Sequence, residues 1–98
     1  MKVIWTPRAQ QCLRKLHDYI DQDQPLTAAR WIGRVLDRGD QIADQPRSGR
    51  VVPEYQRDTI GEVFEGDDRI IYRIRSQQVD VLTVRHGAQR LPQTTRSL

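Results

Sequence analysis

The stretch DRIIYRIRSQQVDVLTVRHG, Asp68 to Gly87, decides the fold: it is two β-rich runs joined by the polar turn Ser76-Gln77-Gln78. Successive side chains of an extended chain point to opposite faces. Ile70, Tyr72 and Ile74 therefore share one face, and Arg69, Ile71, Arg73 and Arg75 share the other. The second run, Val79 to Arg85, is apolar at Val79, Val81, Leu82 and Val84, so neither of its faces is wholly polar. That pattern predicts a central strand covered on part of both faces. Between residues 69 and 90 stand Arg69, Arg73, Arg75, Arg85 and Arg90 against the one acid Asp80, and a working surface is expected here.

Working outward, Gly66-Asp67-Asp68 reads as a turn, preceded by a strand over Thr59 to Glu65 with Ile60, Val63 and Phe64 apolar. Pro46 to Glu54 is a Pro/Gly-bounded loop. Upstream, Ala28, Ile32, Val35 and Ile42, with Ala29, Trp31 and Leu36 beside them, keep helical spacing from about Pro25 to Ala43. Gly39 is the weak point of that helix, since glycine costs about 1 kcal/mol relative to alanine in a helix interior. Ala9, Leu13, Leu16 and Ile20, widened by Cys12 and Tyr19, mark an earlier helix over residues 7 to 21. Thr6 is its N-cap and Pro7 its first helical residue. Lys2 to Trp5 is a short strand candidate. The sum is an α+β protein: an N-terminal strand, an antiparallel αα-hairpin, then three mostly antiparallel strands, with the helices on one face of the sheet. Residues 1–91 form a single domain in this reading and 92–98 a polar C-terminal tail, with the polar end from Gln89 to Leu98 expected to fray.

A chain of 98 residues, 37% hydrophobic and 30% charged, has room for one lean core. No apolar run approaches the roughly 20 residues that span a bilayer, so no membrane role and a cytoplasmic location are expected. Cys12 is the only cysteine, which excludes an internal disulfide, and it lies on the apolar side of its helix as a buried thiol. Net charge is +3, and 14 arginines stand against two lysines. Arginine favours forked contacts to carboxylates and phosphates. A GC-rich genome explains such a bias as well as a polyanion or an acidic protein partner does. Arg30, Arg34 and Arg38 recur at i, i+4 and i+8 as a basic ridge or a solvated helix face.

No metal constellation, phosphate loop, dinucleotide fingerprint or nucleophile elbow is present, so neither metal nor cofactor is expected. What remains is a metal-free acid–base set: Glu54 at the end of the loop, Arg69 and Arg73 on one strand, and His86 at the end of the next. Histidine and carboxylate can exchange protons while arginines stabilise a phosphate, which is the equipment of a ribonuclease. The bland reading is a strand-end histidine bonded to backbone and a glutamate paired with an arginine.

The series V-x-W-T-P-x-A (Val3 to Ala9), Y-I-x-x-D-x-P (Tyr19 to Pro25), P-x-x-G-R-x-V-P-E (Pro46 to Glu54), R-I-I-Y-R-I (Arg69 to Ile74) and V-x-V-L-x-V-x-H-G (Val79 to Gly87) resembles the RelE/ParE superfamily of type II toxin–antitoxin modules. The ParE-like, or plasmid-stabilisation, branch fits best, over roughly residues 3 to 91. The resemblance implies two activities. RelE-like members cut mRNA on the ribosome, and Arg69 matches an arginine that is catalytic in that branch, with Glu54 and His86 in the glutamate and histidine roles. ParE-like members are binding poisons associated with DNA gyrase. Neither Lys2 nor Lys15 lies where the nuclease lysines belong, Gln89 stands where an arginine often follows the H-G pair, and no aromatic follows at the C-terminus.

These departures favour a gyrase-directed growth inhibitor, with a ribosome-dependent endoribonuclease as the alternative and an inactive homologue as a third. The resemblance also implies a cognate antitoxin, ParD-like or similar, whose acidic C-terminal segment folds onto the toxin in a hetero-oligomer. Arg30, Arg34, Arg38, Arg50, Arg73, Arg75, Arg85 and Arg90 are the candidates for contact with target or antitoxin.

Overall fold

The computed structural model describes residues 1–87 and 89–98. Its elements are β1 (Lys2–Trp5), α1 (Pro7–Asp21), α2 (Pro25–Asp44), β2 (Arg50–Val51), β3 (Ile60–Glu65), β4 (Asp68–Ile74), β5 (Gln78–His86) and a 3-10 turn over Thr95–Ser97. The five strands form one sheet in the order β1-β5-β4-β3-β2. Only β1 and β5 run parallel, and the other neighbours are antiparallel. The two-residue β2 lies inside the stretch expected to be loop; so short an edge strand carries no alternation to detect.

The αα-hairpin covers one sheet face. Thr6 caps α1 as expected, its hydroxyl accepting from the Ala9 amide at 3.2 Å with Pro7 next in line. The same hydroxyl donates to the Leu82 carbonyl at 3.3 Å, and the Thr6 amide donates to the Val81 carbonyl at 3.1 Å. One residue thus starts the helix and pins it to β5.

Ala9, Leu13, Trp31, Val35 and Ile42 from the helices meet Val63, Ile70, Tyr72, Val79, Val81 and Val84 from the sheet. The alternation of β4 holds, with Ile70 and Tyr72 in this layer and Ile71 in the opposite one. Strand β5 is buried from Val79 through Val84, as a strand covered on both sides must be. A register shift at Ile71/Tyr72 reconciles Val81 and Val84 on the same side. Tyr19 does not widen the α1 stripe: it is 75% exposed.

Gly39 is a requirement rather than a weak point. A Cβ there would lie 2.5 Å from the Trp5 indole, so the missing side chain lets α2 close onto β1. The opposite sheet face carries a smaller apolar layer of Val52, Ile60, Ile71 and Leu82. Leu91 and Leu98 pack on it, Tyr55 donates its hydroxyl to the Pro92 carbonyl at 2.8 Å, and Arg8 reaches the Ser97 carbonyl. The tail, expected to fray, is therefore folded back over the sheet. Its polar composition hid two leucines placed to cover apolar surface.

Candidate functional site

Strand parity distributes the candidate residues over two faces. On the face away from the helices, β3 presents Glu62 and Phe64 and β4 presents Arg69 and Arg73. Arg85 of β5 stands opposite Arg69 in register. The Glu62 side chain has no exposure, and a carboxylate taken from water requires charged partners. Arg50 Nε donates to one of its oxygens, and Arg69 donates through Nε (3.0 Å) and Nη2 to the other.

Glu54 closes the network from the β2–β3 connection, accepting from Arg69 Nη1 at 3.1 Å and Nη2 at 3.2 Å. The hydrogen bonds from Arg69 hold the Glu54 carboxyl below its ordinary value of 4.5. Burial pulls the Arg69 guanidinium down, but its bonds to Glu54 and Glu62 outweigh that and raise it. Burial likewise raises the nearby Tyr55 phenol, while the charge of Arg85 works against it. Arg50 also lies over the Phe64 ring, 5.7 Å from its centre.

His86 is on the other side. It faces Asp68 across the β4–β5 register, and its Nδ1 lies 2.8 Å from the Asp68 carboxylate. The second Asp68 oxygen accepts from the buried Trp31 Nε1 at 2.6 Å. A carboxylate accepts only, so Nδ1 donates to Asp68 and Nε2 is left for an outside partner. The group sits at a cleft of about 460 Å³ between the hairpin and the β3–β4 turn, lined by Leu16, Tyr19, Ile20, Trp31 and Arg34. Of the acid–base set, the fold thus brings Glu54 to Arg69 and places His86 in a different environment. Arg73 is half-buried on the face that carries Arg69.

The remaining arginines divide as well. Arg34 pairs with Glu65 at 3.3 Å, Arg38 bonds Gln41 at 2.8 Å, and Arg30 is exposed beside them on α2. Arg75 pairs with Asp80, and Arg90 is exposed. Arg85 has a buried Nε with no hydrogen-bond partner among the described residues. Sequence reasoning missed Glu62 and Asp68. Strand parity sets Glu62 on one face with Ile60 and Phe64, and the β3–β4 register makes that the face of Arg69. Asp68, expected in the turn, opens β4 instead. Among the described residues no group of His, Cys, Asp and Glu side chains has the arrangement to hold a metal ion, and no helix is long and apolar enough to cross a membrane.

Residues 3–91 match the family described as the ParE toxin of the type II toxin–antitoxin system parDE. The chain is 39% identical over 93 residues to Y4kP of Sinorhizobium fredii, covering 94% of each sequence. It is 32% identical over 89 residues to toxin RelE2 of Caulobacter vibrioides, covering 90% of this chain and 97% of that one. In fold it is similar to the chromosomal ParDE system of P. aeruginosa, with TM-score 0.75, 13% identity, and 89% and 96% of the two chains covered. It is likewise similar to the RelBE2 toxin–antitoxin complex of Mycobacterium tuberculosis, with TM-score 0.64, 24% identity, and 87% and 95% covered. With the family's region spanning nearly the whole sequence and the same sheet-and-hairpin fold around it, this chain belongs to the ParE toxin family of type II toxin–antitoxin systems.

Proposed function

We propose that this chain is a ParE-like growth inhibitor that acts in the cytoplasm as a binding poison, with DNA gyrase as its inferred target, and that a cognate ParD-like antitoxin neutralises it. The gyrase inference rests on the ParE family match. The observation that carries the choice of a binding poison over a nuclease is the separation of the acid–base set. Metal-free cleavage of RNA needs a proton acceptor, a proton donor and a cation around one phosphate. Here Arg69 is clamped by Glu62 and Glu54, while His86 is held by Asp68 in the layer of Trp31. One named relative is a RelE toxin, so cleavage remains the reading to test against.

The experiment induces the chain in cells without its antitoxin and maps new mRNA 5′ ends within minutes, alongside a supercoiling assay with purified gyrase. Growth arrest without new ends, and loss of supercoiling, support the proposal. Discrete cuts inside translated frames, lost in His86→Ala, overturn it in favour of the endoribonuclease. Absence of arrest identifies an inactive homologue.

A further inference from the structure

The two carboxylates on Arg69 are not equivalent. Glu62 is wholly enclosed, bonded also by Arg50, and belongs to a strand paired on both sides. Glu54 is 44% exposed and sits on the connection between β2 and β3, two residues before Gln56, whose φ is +51. A side chain on an irregular, water-exposed connection can leave at little loss, whereas Glu62 is enclosed in the sheet and cannot leave without breaking its bonds to both Arg50 and Arg69.

Beside this pair the face holds a surplus of positive charge. Arg50, Arg69, Arg73, Arg75 and Arg85 stand against Glu54, Glu62 and Asp80, five cations to three anions. The Arg85 Nε is buried and has no hydrogen-bond partner among the described residues. Its strand is the immediate neighbour of Arg69 in register.

We propose that Arg69, with Arg85 and Arg73 beside it, is a docking site for side-chain carboxylates of an acidic segment of a protein partner, and that Glu54 is an internal stand-in which that segment displaces. The forked Glu54–Arg69 contact already has the geometry an incoming aspartate or glutamate adopts. Displacement exchanges one such pair for another, so docking keeps Arg69 satisfied throughout. The incoming acid adds an acceptor near Arg85, and the released Glu54 returns to water. Charge complementarity makes the occupant acidic. This rests on the reading that an acidic partner neutralises the chain, but it specifies where and by what exchange.

The test titrates the full chain with a fluorescent hexaglutamate peptide, and in parallel with a single-stranded oligonucleotide of equal charge, following anisotropy at low salt. Glu54→Gln, an exposed change whose folding is checked by circular dichroism, is expected to bind hexaglutamate about three- to tenfold more tightly than the unaltered chain. Arg85→Ala is expected to bind several-fold more weakly, and the double variant to lose the gain. Equal affinity of Glu54→Gln and the unaltered chain overturns the stand-in role. An unchanged affinity in Arg85→Ala overturns the site, and a gain confined to the oligonucleotide overturns the carboxylate assignment in favour of a phosphodiester. None of these readouts involves growth arrest or gyrase, so failure here is distinguishable from failure of the toxin reading.

Discussion

His86 and Asp68 face each other across the β4–β5 register, with Nδ1 2.8 Å from the carboxylate, and this contact fixes which side of the sheet the histidine serves. The same carboxylate accepts the indole N–H of Trp31, a core residue of α2. The pair therefore joins the end of the sheet to the helical layer, and Asp68, not His86, is its structural member.

Asp68→Ala removes both contacts and leaves the Trp31 Nε1 buried without an acceptor, which costs about 1–3 kcal/mol. His86→Ala removes only the exposed end, and the expected loss is under about 1 kcal/mol. Urea unfolding followed by tryptophan fluorescence separates the two. Equal destabilisation would show that the histidine, rather than the buried aspartate, organises the group.

The arginine-clamped carboxylates yield a second contrast. Breaking a buried charge pair by removing one partner costs roughly 3–5 kcal/mol, so Glu62→Ala is expected to unfold at far lower urea than the parent or to fail to fold. Glu54→Ala removes an exposed partner of the same arginine and is expected to cost less than about 1 kcal/mol. Comparing both variants with Arg50→Ala and Arg69→Ala checks the assignment, since Arg69→Ala leaves the buried Glu62 with its Arg50 contact alone and should resemble Glu62→Ala more than Glu54→Ala.

A pH dependence follows from the same pair. Hydrogen bonds from Arg69 depress the Glu54 pKa in the folded chain below its ordinary value of 4.5. The unfolded chain then binds the proton first on acidification, so the contribution of Glu54 is full above 4.5 and is lost as the pH falls through the folded value. The stability gap between the parent and Glu54→Gln is expected to be constant from neutrality down to about pH 5 and to close below that. Paired urea titrations across this range measure it. A gap that persists unchanged into strong acid would mean that the glutamine variant loses packing rather than charge.

Much of this architecture was legible because the decisive signals are local. Thr6-Pro7 starts a helix by capping chemistry, and Ile70 with Tyr72 opposes Ile71 by the period of two, whatever surrounds them. Whether Glu54, Arg69 and His86 converge is not legible in the sequence, for a non-local reason. His86 and Arg85 are adjacent in sequence, but the pairing with β4 sends one to Asp68 and the other to the row of Arg69. The opposite fate of Glu62, buried in a strand between two arginines, is visible only when β2, β3 and β4 are assembled. Leu91 and Leu98 were obscured for a similar reason, since the surface they cover is made by residues 52, 60, 71 and 82.

Gly39→Ala carries the sharpest sign reversal. In a solvent-facing helix interior this change stabilises by about 1 kcal/mol. Gly39 is buried, however, and an added Cβ would stand 2.5 Å from Trp5 Cζ2, closer than carbon atoms tolerate, and a tight 3.2 Å from Cε2. The indole is a rigid ring held in the layer between β1 and the hairpin, so either α2 or β1 must shift, and overpacking of this kind costs roughly 1–3 kcal/mol. Net destabilisation is expected despite the better helix former. The test is a cycle with Trp5→Leu, followed by circular dichroism because one tryptophan is lost. Trp5→Leu alone destabilises by emptying the contact, and Gly39→Ala added to it should then cost little or become favourable. Additive losses in the double variant would show that glycine is required for another reason than the approach of Trp5.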